Sequence, residues 1–163
     1  AVACLRLRLR GPIAAWDGSG KSALPRGRKT RAVLAVLSLA APAAMPRKRL
    51  TDLLWSTRMP AQARGSLRQA VHELQDLLGA IGGPRLHATR ENLALDRSGL
   101  WVDVRDAPDG AQDEATPTTN FLTDLTGLDP AFDAWLSAER ARLARRPCWP
   151  IVPFLCHNPC ASG

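Results

Sequence analysis

Between Ala61 and Leu78 the chain sets Leu67, Ala70, Val71, Leu74 and Leu78 at i, i+3, i+4, i+7 and i+11, and no other feature constrains the fold as strongly. The stripe is the apolar face of a long helix, and the rest of the chain must cover it. At about 100° per residue the other side carries Gly65, Gln69, His72 and Asp76, flanked by Arg68 and Glu73. Gly79 and Gly82-Gly83 end the helix. Immediately beyond, Arg85–Ala88 and Leu93–Leu95 alternate around the polar tip Thr89-Arg90-Glu91-Asn92, the pattern of a β-hairpin.

The preceding segments supply partners for the stripe. Leu5, Leu7 and Leu9 alternate with Arg6, Arg8 and Arg10, a half-buried strand with leucines on one face and arginines on the other. Gly11-Pro12 interrupts it, Ile13–Trp16 forms a second short strand, Asp17-Gly18 turns, and Ser22–Pro25 is read as a third. The opening is therefore expected to be a small antiparallel sheet. Val33, Leu34, Leu37 and Ala41 mark a helix over Lys29–Ala41 that stops at Pro42. A second helix, Arg47–Trp55, places Leu50, Leu53 and Leu54 on one side. Its basic start, Arg47-Lys48-Arg49, opposes the helix dipole and is tolerable where the cations face phosphate. Leu100–Val104 alternates as one more strand.

After Asp106 the texture changes. Ala107–Asn120 is rich in Pro, Gly, Asp, Gln and Thr without a period and reads as a linker. Phe121–Arg146 becomes helical toward its end, with Phe132, Trp135, Leu136 and Leu143 in line. Residues 147–163 hold four prolines and no amphipathic period, and an irregular tail is expected there. The expected organisation is a winged-helix domain over 1–106, a linker over 107–120, a helical segment over 121–146 and the tail over 147–163.

Charge follows the same division. Residues 1–106 hold 18 Lys and Arg against 8 Asp and Glu, whereas 107–163 hold 4 against 7. A basic body with an acidic extension places any polyanion-binding surface in the first two thirds. The longest apolar run, Ala32–Met45, is broken by Ser38 and Pro42 and is too short for a bilayer span of roughly 18–20 residues. The alternating Leu and Arg at the start do not form the apolar stretch of a signal peptide, so a cytoplasmic location and no membrane partner are expected. The chain opens on Ala rather than Met and reads as a processed chain or a fragment.

In chain order, a small sheet, three helices and a hairpin are the layout of an α+β winged helix-turn-helix with an N-terminal antiparallel sheet. In that layout the helix over 61–78 enters the major groove of duplex DNA, and the wing over 85–95 reaches backbone or minor groove. The DNA-contact candidates are Arg64, Arg68, Gln69 and His72 on the helix, Arg85 and Arg90 around the wing, and Lys48 at the second helix. Arg and Gln suit base edges, and the wing arginines suit phosphates. A bland exposed histidine is an equal reading of His72. Binding as a monomer is expected to be weak, which favours homodimers on tandem sites.

The pieces LRLRGPIAAWDGSG, GRKTRAVLAVLSLA, RKRLTDLLWSTRMP, AQARGSLRQAVHELQDLLG and LWVDVRD follow one another over Leu5–Asp106. Together they resemble the winged-helix part of the bacterial antibiotic-regulatory-protein (SARP) activators, a domain similar to the OmpR-type response-regulator DNA-binding domain. FLTDLTGLDPAFDAWLSAERARL is similar to part of the helical bacterial transcriptional activator domain that follows in such proteins. The resemblance implies a transcriptional activator. It also implies that the loop Ser56, Thr57, Arg58, Met59 and Pro60 contacts RNA polymerase. Two departures stand out. Glu73, Gln75 and Asp76 occupy turns where that family carries bases, and the two helices expected before the FLTDL-like segment are replaced by the linker.

Other motifs receive plainer readings. GSGKS over Gly18–Ser22 has Ala15 where a phosphate loop needs Gly and is followed by Pro25 and Gly27 rather than a helix, so it reads as a hairpin turn. Cys148, Cys156, His157 and Cys160 match no common zinc spacing, so no metal site is expected and the tail reads as free thiols. Trp16, Trp55, Trp101 and Trp135 read as core or sheet-packing residues, and His87 as an ordinary wing residue. No nucleophile constellation is visible; neither an enzyme nor a cofactor is expected. The alternative function is a winged-helix protein-interaction module whose DNA face is spoiled by Glu73 and Asp76.

Overall fold

Alternation of Leu5, Leu7 and Leu9 with arginine does what a period of two requires: the leucines have no exposed surface, while Arg6 and Arg8 face solvent. In the computed structural model, which describes residues 5–106 and 121–144, this strand, β1 (Leu5–Arg8), is central in a three-stranded sheet. It pairs antiparallel with β2 (Ala14–Asp17) on one side. On the other, β6 (Leu100–Val102) runs parallel to it, Leu5 beside Leu100 and Leu7 beside Val102. The sheet is thus mixed rather than antiparallel throughout. A parallel neighbour needs a long crossover, and here the crossover is the whole helical unit with its hairpin. The strand expected at Ser22–Pro25 reduces to one bridge between Trp16 and Ser22 and one hydrogen bond, Ala23 N to Ala15 O at 2.9 Å. Pro25 has no N–H to extend the ladder, and its carbonyl accepts from Arg31 Nε at 2.6 Å instead.

Helix α1 (Arg28–Ala40) lies in the centre of the core, with Ala32–Ser38 buried without a break. Helix α2 (Arg47–Leu54) buries Leu50, Thr51, Leu53 and Leu54. Helix α3 (Pro60–Ala80) buries Ala63, Leu67, Ala70, Val71, Leu74 and Leu78, the stripe legible in the sequence with one turn added at its start. The wing is β4 (Leu86–Ala88) and β5 (Asn92–Leu95), closed by Thr89 N to Asn92 O at 2.9 Å and Asn92 N to Thr89 Oγ1 at 3.0 Å. A two-residue strand, β3 (Met45–Pro46), pairs with β5 and gives a second sheet of order β3-β5-β4. These elements make the fold an α+β winged helix-turn-helix behind an N-terminal sheet.

The strand expected over Leu100–Val104 stops at Val102. Asp103 accepts from Leu9 N (2.9 Å) and Arg10 N (3.1 Å), and Asp106 accepts from Val102 N (3.0 Å). These carboxylates divert the backbone into a single turn, α4 (Asp103–Asp106).

The segment 121–144 joins the same core. Leu122 N donates to Leu9 O at 2.9 Å, Ile13 N donates to Asp124 Oδ1 at 2.9 Å, and Phe121, Leu122 and Leu125 are buried. Helix α5 (Pro130–Ala144) packs against α2, with Phe132 and Leu136 buried and Trp135 stacked on Phe132 at 5.3 Å. The linker expected over 107–120 and the tail over 147–163 lie outside the described residues.

Helix α1 begins at Gly27, which has no capping side chain, and has neither an acid in its first turn nor a base in its last. Both ends are held from elsewhere. Glu73 of α3 accepts from Arg26 N (3.2 Å) and Thr30 Oγ1 (3.0 Å) at the N-terminus. Arg105 Nη1 donates to the carbonyls of Ser38 and Ala41, both at 2.8 Å, at the C-terminus. Each charge has the sign the helix dipole favours. A Cβ added at Gly27 would stand 2.9 Å from Thr30 Oγ1, so the tight entry also needs glycine. Replacing Glu73 by Ala is expected to cost about 1–2 kcal/mol, the scale of hydrogen bonds to a carboxylate beside a helix start. The measurement is urea unfolding, with a lower midpoint at unchanged slope; an unmoved midpoint would return Glu73 to the solvent face.

Candidate nucleic-acid interface

Pro60 opens α3 at its first position, where the missing N–H and fixed φ are harmless. The buried stripe then dictates what faces outward. Arg64, Arg68 and His72 follow one another at intervals of four on the exposed side, with Gln69 beside them, and all four are exposed. Gly65 lies among them with open space where a Cβ would stand. His72 Nε2 is 3.5 Å from Asp76 Oδ2, both largely in solvent, so the pair adds little to stability.

Glu73 is not part of this face. Its carboxylate is engaged by Arg26 N and Thr30 Oγ1, so the expected flanking acid is a buttress of α1. Of the acids thought to spoil the surface, Asp76 alone is solvent-exposed on α3.

Arg85 and Arg90 are both exposed, the first just ahead of β4 and the second at the wing tip. A groove of about 420 Å³ between the end of α3 and the wing is lined by Gln75, Leu78, Gly82, Gly83 and Arg85. Arg47 spans α2 and the wing, its Nε donating to Thr89 O and its backbone N to Glu91 O, both at 2.8 Å. The basic start of α2 is thereby fixed beside the wing tip, with Arg47 committed to structure. Lys48 is exposed but paired with Asp52 at 2.9 Å, and Arg49 is exposed. His87 is hydrogen-bonded to Asp96 at 2.8 Å across the hairpin strands.

The loop before α3 is shorter than expected. Pro60 belongs to the helix, and Ser56 is held by Asp129, its Oγ at 2.5 Å and its backbone N at 2.9 Å. Thr57, Arg58 and Met59 remain in solvent, Met59 being 70% exposed. Asp129 also caps α5 through Ala131 N at 2.8 Å, a role readable in Asp-Pro ahead of a helix. Burial works against its carboxylate. The hydrogen bonds from Ser56 and Ala131, with Lys29 nearby, outweigh that burial and hold the carboxyl below the ordinary value of 3.8. Burial in turn lowers Lys29, whose ammonium lies 5.3 Å from the Trp55 ring centre, with Arg58 adding to the effect and Asp129 opposing it.

Gly18–Ser22 is a turn and opens no helix. Asp17 Oδ1 accepts from Ser19 N, Ser19 Oγ and Lys21 N, and Asp17 N donates to Lys21 O. Trp55 is buried and Trp135 packs on Phe132, whereas Trp16 and Trp101 are half-exposed on the outer face of the N-terminal sheet. Among the described residues no group of three His, Cys, Asp or Glu is placed to hold a metal. The Cys148, Cys156, His157 and Cys160 set lies outside them. No helix among the described residues is long and apolar enough to cross a membrane.

The chain matches no protein-family model and no curated protein.

Because the Asp129 carboxyl is depressed, its contribution to stability is present above the unfolded value of 3.8 and is lost as pH falls through the lower folded value. Asp129→Asn is expected to lower stability at neutral pH and to flatten the dependence below about pH 4. Thermal unfolding of both proteins across that range is the check; parallel curves would assign the acid sensitivity elsewhere.

Proposed function

We propose that this chain is a transcription regulator that binds duplex DNA through α3 and the wing. The observation that carries the reading is the division of α3. One side is locked into the core through Leu67, Val71 and Leu74, and the other presents Arg64, Arg68, Gln69 and His72 to solvent. A rigidly held helix with bidentate donors on its free face is suited to base edges. Arg85 and Arg90 supply phosphate contacts from the wing, and Lys48 does so at the cost of its exposed pair with Asp52. Inward placement of Glu73 removes half of the objection to this surface and weakens the case for a pure protein-interaction module.

Activation is the direction implied by the resemblance to antibiotic-regulatory activators. RNA polymerase would then be met by Thr57, Arg58 and Met59, the part of the loop that Asp129 leaves in solvent. Homodimers on tandem sites would supply the affinity a single α3 lacks. Such a regulator works in the cytoplasm, where the chromosome is.

Selection of random duplexes by the purified chain, followed by salt titration of the winners, tests the reading. A recurring motif that survives moderate salt supports it. Binding that has no motif and disappears with salt would leave only the phosphate contribution. On the selected site Arg68→Ala is expected to weaken binding by about 1–3 kcal/mol and to relax preference at one base pair. Equal affinity would remove Arg68 from the interface.

A further inference from the structure

The outer face of the N-terminal sheet carries a second arrangement, separate from α3 and the wing. Register sets it up. Arg6 lies opposite Trp16 on β2 and beside Trp101 on β6, so one row across the sheet reads Trp-Arg-Trp on the side away from the core. Arg6 lies over the Trp101 ring at 5.9 Å from its centre, and Arg8 lies over Trp16 at 5.5 Å. A cavity of about 410 Å³ opens on this face between Trp16, Trp101 and Arg6 on one side and the turn Gly18–Gly20 on the other. That size is within the roughly 300–1,000 Å³ of small-molecule sites.

Three features say what such a cavity would take. Its walls include two half-exposed indoles, the largest flat apolar surfaces a protein can offer, and these favour a planar ring. Its cation, Arg6, has no carboxylate or hydrogen-bond acceptor among the described residues, while packing against Trp101 restrains it and leaves its N–H edge for an anion. The one acid at the rim, Asp17, stays ionised with its Oδ1 held by Ser19 N, Ser19 Oγ and Lys21 N, which stiffens the turn, and Arg6 and Arg8 outnumber it on this face. The Ser19 hydroxyl bond, opposed by slight burial and aided by the Lys21 and Ser19 amides and the Lys21 charge, holds the Asp17 carboxyl below its usual value.

We propose that this face binds a small planar aromatic anion, a ring compound bearing one carboxylate or phosphate, with the ring against Trp16 and Trp101 and the anion on Arg6. Recognition by an indole and a guanidinium differs from a phosphate loop, whose helix and glycine cradle are missing here. The proposal does not depend on DNA binding. Were both correct, the chain would carry an effector site on its N-terminal sheet in addition to the wing.

Calorimetric titration of the full chain is the test, with indole-3-acetate as the aromatic carboxylate and adenosine 5′-monophosphate as the aromatic phosphate. Acetate, inorganic phosphate and uncharged adenosine serve as controls. Saturable one-site binding of either ring anion, with the controls much weaker, is expected, and the stronger of the two assigns the anionic group. Arg6→Gln should weaken that binding roughly tenfold, the scale of one charge-assisted contact, without moving the thermal midpoint. Trp101→Leu should weaken it similarly; should that variant fail to fold, the exposed Arg6 position still decides. Saturation by neither ring anion, equal binding of the ringless anions, or an Arg6→Gln variant that binds like the parent would overturn the proposal.

Discussion

Among the described residues, the elements are arranged around a buried helix whose two ends are held by charges from elsewhere in the chain. α1 is apolar through its middle and buried there, yet it brings neither an acid to its start nor a base to its end. Burying such a helix leaves orphan amides at one end and orphan carbonyls at the other. Arg105 of α4 takes up carbonyls at the far end, Glu73 of α3 holds the entry through Arg26 N and Thr30 Oγ1, and each restricts where its own element can lie. The Glu73 contact sets the rotation of α3 about its axis together with the leucine stripe, and that rotation decides which side chains reach solvent. The Arg105 contact ties the end of β6 to the end of α1. The two charges thus tie α1 to α3 and to the end of β6, while the buried stripe decides which side of α3 meets solvent.

Much of this was legible in residue order. Alternation over Leu5–Leu9, the stripe over Leu67–Leu78 and the two short runs around Thr89–Asn92 each repeat long enough to declare a period, and each element formed as read. What escaped lacked a period or a local partner. β3 is two residues long and exists because β5 passes beside it. The parallel placement of β6 depends on the crossover hand and length of everything between. Glu73 illustrates the other limit: a helical wheel sets it at the margin of the polar face, and only the approach of Arg26 and Thr30 turns it inward. The Arg64–His72 row, by contrast, follows from the stripe alone, since residues opposite a buried face must be exposed.

The segment 121–144 changes what the loop before α3 can be. In the sequence Ser56–Pro60 is a free connection. In the structure Asp129 accepts from both donors of Ser56, and α5 packs on α2. The acidic extension thus reaches the loop before α3 through one buried carboxylate, while the arginines of α3 keep their solvent.

The parallel pairing of β1 with β6 has a consequence for how the chain is made. Leu5 finds its neighbour at Leu100, Leu9 gives its carbonyl to Leu122, and the Ile13 amide waits for Asp124. Among the described strands, β1 is therefore made first and is among the last to acquire its partners. Until residues beyond 100 emerge, β1 has only the short β2 as a strand neighbour, the partners of Leu9 and Ile13 follow later still, and contacts so distant in sequence form slowly. During synthesis this edge is open to a wrong partner, so substitutions in Leu5–Leu9 would be felt in the nascent chain as well as in the finished core.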